Sequence, residues 1–121
     1  MIGIGLDAVE IERFRRAVER HPRILDRIFT AEERHDMSGR VDPVPGLAAR
    51  FAVREAVMKA MGVGIGDVAF ADIAVRRSPS GRPAVELSGT AAQLASELGI
   101  TTWQISISHT RDSAMAVAAA L

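Results

Sequence analysis

Residues 50–62 read RFAVREAVMKAMG, and no other stretch limits the fold as much. An α-helix turns by about 100° per residue. Phe51, Ala52, Val53, Ala56, Val57, Met58, Ala60 and Met61 then cover nearly every direction around it. A helix apolar nearly all round is buried, so the rest of the chain must wrap it. The pattern predicts a helix over about 46–61 that stops at Gly62. The same helix carries Arg50, Arg54, Glu55 and Lys59. Buried charge is costly unless it is paired, bound to metal or used. Glu55 stands four residues before Lys59, the favourable order for an ion pair worth about 0.2–0.5 kcal/mol. The charges therefore have two readings, an intrahelical pair or a functional site.

The flanking sequence supplies the wrapping. In MIGIGL, Ile2, Ile4 and Leu6 alternate with Gly3 and Gly5. This predicts a strand ending at Asp7, with a bare face on which another element packs close to the backbone. From about Glu10, Ile11, Phe14, Ala17 and Val18 share a helical face, interrupted at His21-Pro22. A short helix or turn follows around 23–28. Thr30-Ala31-Glu32-Glu33 is a capping-box signature for the next helix. GRVDPVPG (39–46) and GVGIGD (62–67) read as loops. Asp72–Arg77 and Pro83–Leu87 read as a hairpin across the turn SPSGR, and Thr90–Leu98 as a helix before Gly99. Trp103, Ile105 and Ile107 alternate with Gln104, Ser106 and Ser108, a half-buried strand. Ala114–Leu121 is small and apolar enough for a central strand. The order is roughly β-α-α-α-β-β-α-β-β, an α+β fold with mostly antiparallel pairing.

At 121 residues the chain, 1–121, reads as one compact domain able to bury a core. Fifteen basic residues balance fifteen acidic ones, and there are four Phe, one Trp and no Tyr. Neither fact suits a nucleic-acid binder, which needs net positive charge or aromatic stacking platforms. No apolar run reaches the roughly 18–20 residues of a membrane span, and the N-terminus does not read as a secretory leader. The absence of cysteine removes thiolate metal sites and a Cys nucleophile, and it fits a reducing cytoplasm.

Several residues could carry chemistry. Asp7 is either a helix cap or a metal ligand. Mg²⁺ typically takes one or two carboxylates plus substrate phosphate, and Asp7 with Glu55 could supply them if strand and helix meet. Lys59, Arg50 and Arg54 are cations on the same helix. GVGIGD could bring backbone N–H groups to a phosphate, although it is neither a P-loop nor a dinucleotide fingerprint. Ser106, Ser108, His109 and Thr110 cluster at a strand end. A triad with Asp112 lacks the GxSxG elbow, and His109 could instead donate to a phosphate. Arg13, Arg16, Arg20, Arg23 and Arg27 recur at spacings 3, 4, 3 and 4. Such a stripe is either a solvated face or a dock for an acidic helix.

GIGLD (3–7), the Phe29-Thr30-x-x-Glu33 box, RFAVREAVMKAMGVGIG (50–66), SGRP (80–83) and ISISHT (105–110) occur in one order. Together they resemble the 4′-phosphopantetheinyl transferases, in particular their short holo-acyl-carrier-protein-synthase type, over essentially the whole chain. The resemblance implies that fold, a mostly antiparallel sheet on a long buried helix, as a single half-unit that forms a homotrimer with sites between subunits. It implies Mg²⁺-dependent transfer of phosphopantetheine from coenzyme A to a serine of an apo acyl carrier protein, releasing adenosine 3′,5′-bisphosphate. Asp7 and Glu55 would be metal ligands, and Lys59 would complete the catalytic set on the pyrophosphate. Arg50, Gly62, Gly64, Gly66, Arg82, Pro83, His109 and Thr110 would hold other parts of coenzyme A. Arg13, Arg20 and Arg23 would meet the carrier protein's acidic helix. The family usually has Lys where this chain has Arg54, so that position is either a substrate contact or a surface or intersubunit ion pair. The rival readings are a non-catalytic trimer that binds coenzyme A or carrier protein, and a small-anion or RNA-binding domain.

Overall fold

The computed structural model describes residues 1–121. Its centre is helix α4, Val44–Ala60, with twelve of its seventeen residues buried. It begins two residues before the expected start, because Pro45 falls in the first turn, where a missing N–H leaves no bond unmade. The loop expected over 39–46 shrinks accordingly.

One face of α4 lies on a three-stranded antiparallel sheet in the order β1-β5-β4, formed by β1 (Gly3–Glu10), β5 (Ser113–Ala120) and β4 (Trp103–His109). The Ala-rich C-terminal strand is central, as its composition predicts. Strand β1 does not end at Asp7. It pairs with β5 from Gly3↔Ala120 through Glu10↔Ser113, which puts Asp7 in mid-strand opposite Ala116. Asp7 is therefore not a helix cap. That position before α1 (Ile11–Arg20) belongs to Glu10, whose side chain makes no capping bond.

The bare face of β1 is where α4 docks. A Cβ added to Gly5 would lie 1.9 Å from the carbonyl oxygen of Ala56, and one on Gly3 2.0 Å from that of Ala60. On β5, Ala114, Ala116, Ala118 and Ala120 are buried, the side of that strand that packs with α4 in the core. The opposite face of the sheet is uncovered. Ile4 is 62% and Leu6 66% exposed, and the register sets Leu6 beside Val117 and Ile4 beside Ala119.

Four helices, not three, separate β1 from the second sheet. Pro22 breaks the arginine-bearing stretch, and α2 (Ile24–Ile28) is a separate helix. Helix α3 (Ala31–Ser38) opens with the full capping box, Glu33 N–H donating to Thr30 Oγ1 and Thr30 N–H to Glu33 Oε1. The second sheet is the hairpin β2 (Ile73–Arg77) and β3 (Pro83–Leu87), followed by α5 (Gly89–Glu97). Asp72 does not open β2. It ends a 3₁₀ turn, Phe70–Asp72, where its carboxylate accepts from Thr90 N–H and Oγ1 at 2.7 Å each. A short acid serves better there, satisfying orphan donors at the start of α5, than in the ladder.

All four phenylalanines form one chain of contacts. Phe14 meets Phe29 edge-on at 6.4 Å and Phe51 at 5.6 Å, and Phe51 stacks on Phe70 at 5.6 Å. They tie α1, α4 and the 3₁₀ turn together beside the N-terminal half of α4.

The close approach is testable. Gly5→Ala should destabilise the fold by about 1–3 kcal/mol or more through overpacking against α4. Gly39→Ala, with nothing within 4 Å of its Cβ, should be near neutral. Urea denaturation of both variants at one protein concentration checks this.

Candidate functional site

Because β1 continues through residue 7, Asp7 projects on the helix-facing side of the strand, as Gly3 and Gly5 do. It there lines a cleft of about 520 Å³ with Glu55, Glu10, Arg13, Phe14 and Phe51. Strand and helix thus bring together the two carboxylates that are 48 residues apart in the chain. Lys59 joins them, but not as the intrahelical pair. Its Nζ donates to Leu6 O and to Asp7 Oδ1, each at 3.0 Å. No Glu55–Lys59 bridge forms, because Asp7 and a free strand carbonyl together offer Lys59 two acceptors.

Glu55 is left short of positive charge. Burial, and next the Asp7 anion, push its pKa up, while Lys59 pulls the other way. Two carboxylates sharing one ammonium suit a hard divalent cation. No group of three or more acidic, His or Cys side chains is placed to hold a metal. A cation here would take two protein carboxylates and draw its remaining oxygens from water or substrate, the usual arrangement for Mg²⁺. The donor set fits that metal.

The other predicted contacts fall elsewhere. Arg50, Pro83 and His109 line a second cleft of about 420 Å³, together with Arg40 and Arg77. Arg50 is only 5% exposed, and its Nε has no partner. Its remaining contacts are weak, Gly46 O at 3.4 Å and Met37 Sδ at 3.6 Å. Burial lowers its pKa; Glu33 opposes this, and Arg40 and Arg77 add to it. This is a guanidinium lacking an anion. Arg40 and Arg77 were not legible as site residues, since neither lies in a motif; the turn after α3 brings Arg40, and β2 brings Arg77, to the cleft of Arg50.

Arg82 and Thr110 line neither cleft. The Arg82 carbonyl closes the hairpin turn, and Thr110 Oγ1 accepts from Asp112 and Ser113 N–H in the turn before β5. Gly62, Gly64 and Gly66 also line neither. They follow the end of α4, with Gly62 and Gly66 at positive φ and Gly64 N–H donating to Asp67 Oδ2. His109 forms no hydrogen bond with Ser106, Ser108 or Asp112, so there is no triad.

Arg54 touches neither substrate space nor surface. It is fully buried and forms a two-pronged ion pair with Glu33, Nη1 to Oε2 at 2.9 Å and Nη2 to Oε1. Its Nε donates to Phe70 O at 2.9 Å, and its guanidinium lies 4.9 Å from the Phe29 ring centre. Burial alone would raise the Glu33 pKa. The Arg54 hydrogen bonds and charge, with N–H donors from Thr30 and Val75, outweigh it and hold the carboxyl below its usual range.

The arginine stripe divides. Arg13 enters the carboxylate cleft, while Arg20, Arg23 and Arg27 line a separate concavity at the α1–α2 corner with His21 and Pro22. Arg13, Arg16, Arg20, Arg23 and Arg27 are exposed and in no ion pair, whereas Arg15 is taken by Asp42 at 2.7 Å and Glu12 at 3.1 Å.

Comparison with known proteins agrees with this fold. A sequence model of the 4′-phosphopantetheinyl transferase superfamily matches residues 3–118. The chain belongs to that superfamily. It is 47% identical over 118 residues to the holo-[acyl-carrier-protein] synthase of Moorella thermoacetica, covering 98% of this chain and 92% of the relative. The crystal structure of the Neisseria meningitidis holo-[acyl-carrier-protein] synthase superimposes with a TM-score of 0.91 at 32% identity, covering 100% and 98% of the two chains. That of the Helicobacter pylori synthase, a complex with coenzyme A, gives 0.83 at 32% identity over 98% and 99%. This phosphopantetheinyl transferase superfamily member thus shares an α+β fold with those synthases over its full length.

Two outcomes follow. Arg54→Met strands the Glu33 charge and should cost about 3–5 kcal/mol in denaturant unfolding. Glu55→Gln should stabilise the metal-free protein. The folded state holds the Glu55 proton more tightly than the unfolded state does, so ionisation costs stability as pH rises above about 4. The gain from Glu55→Gln should therefore be full at neutral pH and absent in acid, as thermal melts across pH would show.

Proposed function

We propose that this protein is a holo-acyl-carrier-protein synthase. It transfers 4′-phosphopantetheine from coenzyme A to a serine hydroxyl of apo acyl carrier protein and releases adenosine 3′,5′-bisphosphate. The observation that carries this reading is the meeting of Asp7 and Glu55 at one cleft, with Lys59 bonded to Asp7. The serine oxygen forms a bond to the phosphorus that bears pantetheine. The bond from that phosphorus to the leaving nucleotide's phosphate oxygen breaks, and the serine proton passes to solvent. Such transfer is largely positioning and charge neutralisation, so the protein needs no nucleophile of its own.

Asp7 and Glu55 hold Mg²⁺, which when bound neutralises charge on the pyrophosphate. Lys59, steadied by Leu6 O and Asp7, presents an ammonium one helical turn from Glu55 to the leaving phosphate. Arg50 and His109, in the second cleft, take the nucleotide end, where an anion would complete the unpartnered guanidinium. Arg20 and Arg23, with Arg13 at the mouth of the carboxylate cleft, offer free cations to an acidic carrier-protein helix.

The two clefts share no lining residue. In this reading one copy's carboxylate cleft works with a neighbouring copy's Arg50 cleft, in a homotrimer joined through the apolar sheet face of exposed Ile4 and Leu6 and half-buried Val117. A bare face of this kind on a sheet supports self-association.

The first test is the intact mass of an apo acyl carrier protein after incubation with this protein, coenzyme A and Mg²⁺. A gain of one phosphopantetheine, abolished by EDTA and by Glu55→Ala, is the expected result. No gain with several carrier proteins would sink the proposal. Co-expression tests the shared site: Glu55→Ala and Arg50→Ala, each inactive alone, should regain transfer in mixed trimers, where some interfaces pair two intact clefts. No recovery in verified mixed assemblies would rule out sharing. Leu6→Glu should sediment as a monomer and lose transfer.

A further inference from the structure

Helix α4 meets β1 through the smallest groups available, Gly3 and Gly5 against the backbone of Ala56 and Ala60. Such a surface allows close approach but offers few ridges to fix how far the helix slides or turns. On this face, register depends more on directional contacts than on interdigitating side chains. Arg50 bonds chiefly within its own helix, to Gly46 O, and weakly to the Met37 sulfur. Lys59 reaches β1, but its side chain is 52% exposed, and a single exposed ammonium is a soft restraint.

Arg54 is different. From one buried point it grips Glu33 of α3 with both terminal nitrogens and the Phe70 carbonyl with Nε, and it faces the Phe29 ring. Glu33 is itself held by Thr30 N–H at 3.0 Å and Val75 N–H at 3.1 Å. The network therefore anchors α4 to α3, the 3₁₀ turn and β2 at once. Residue 54 immediately precedes Glu55 and lies one turn after Arg50, so setting its direction sets both. A lysine could not reproduce the planar, three-nitrogen grip.

We infer that Arg54, through the buried Glu33 network, is a positioning residue that holds α4 in the register at which Glu55 faces Asp7. The inference rests on the cation site of the proposed function. A site of this kind tolerates displacements of only about 0.5 Å, so loosening the register weakens cation binding even where the fold survives.

The test is Mn²⁺ binding, followed by electron paramagnetic resonance without turnover, in the wild-type protein, Arg54→Lys, and the double variant Glu33→Gln/Arg54→Met. Glutamine keeps the capping box, and the neutral pair leaves no stranded charge. The double variant should melt cooperatively near the wild type yet bind Mn²⁺ at least about tenfold more weakly, as loss of support around a metal ligand does. Arg54→Lys should lie between the two, with kcat and Mn²⁺ affinity lowered and KM for carrier protein unchanged. If folded Arg54→Lys and the double variant bind Mn²⁺ like the wild type, Arg54 only stabilises and the inference is overturned. Should the double variant not fold, Arg54→Lys alone decides between these outcomes. Wild-type binding no stronger than that of Asp7→Ala would instead remove the cation site itself, and the inference with it.

Discussion

The close approach of α4 to β1 is the constraint on which the rest depends. With no Cβ on Gly3 or Gly5, the helix backbone lies almost against the strand. That contact brings Glu55 to the cleft where Asp7 stands, and it puts Lys59 within reach of Leu6 O and Asp7. A bulkier strand would push the helix outward and separate the two carboxylates. The alanines of β5 extend the same thin interface across the sheet.

Charge on this helix is divided between structure and chemistry. Arg54 is fully answered by Glu33 and the Phe70 carbonyl. Glu55 and Arg50 are not fully answered: one carboxyl is pushed toward protonation, and one guanidinium nitrogen is left without a partner. Unsatisfied groups of opposite sign in separate clefts cost stability in the empty protein. They are also the groups that a metal ion and an anionic substrate would complete. The helix thus combines one settled ion pair with two open positions.

The outer face of the sheet follows from the same alternation. Period two sends the glycines of β1 inward and Ile4 and Leu6 outward. The interior is already filled by α4, so those side chains have nothing in this chain to cover them. An uncovered apolar face on one side and a divided set of polar groups on the other are what the proposed self-assembly would account for.

Much of this was legible in the residues. Periodicity marked α4 as buried and β1 as a strand approached closely from one side. The capping box, the hairpin and the central alanine strand follow from local turn, capping and propensity rules. The motifs also named Asp7, Glu55 and Lys59. What sequence could not supply was which charges meet, because pairing depends on distances between segments remote in the chain. Glu55 and Lys59 are four apart and look paired, yet Lys59 turns to Asp7, 52 residues away. Arg54 looks like a surface or substrate residue until Glu33, 21 residues earlier, is folded beneath it. Local spacing determined the elements and their buried faces; only tertiary packing decided which ions are neutralised and which remain open for chemistry.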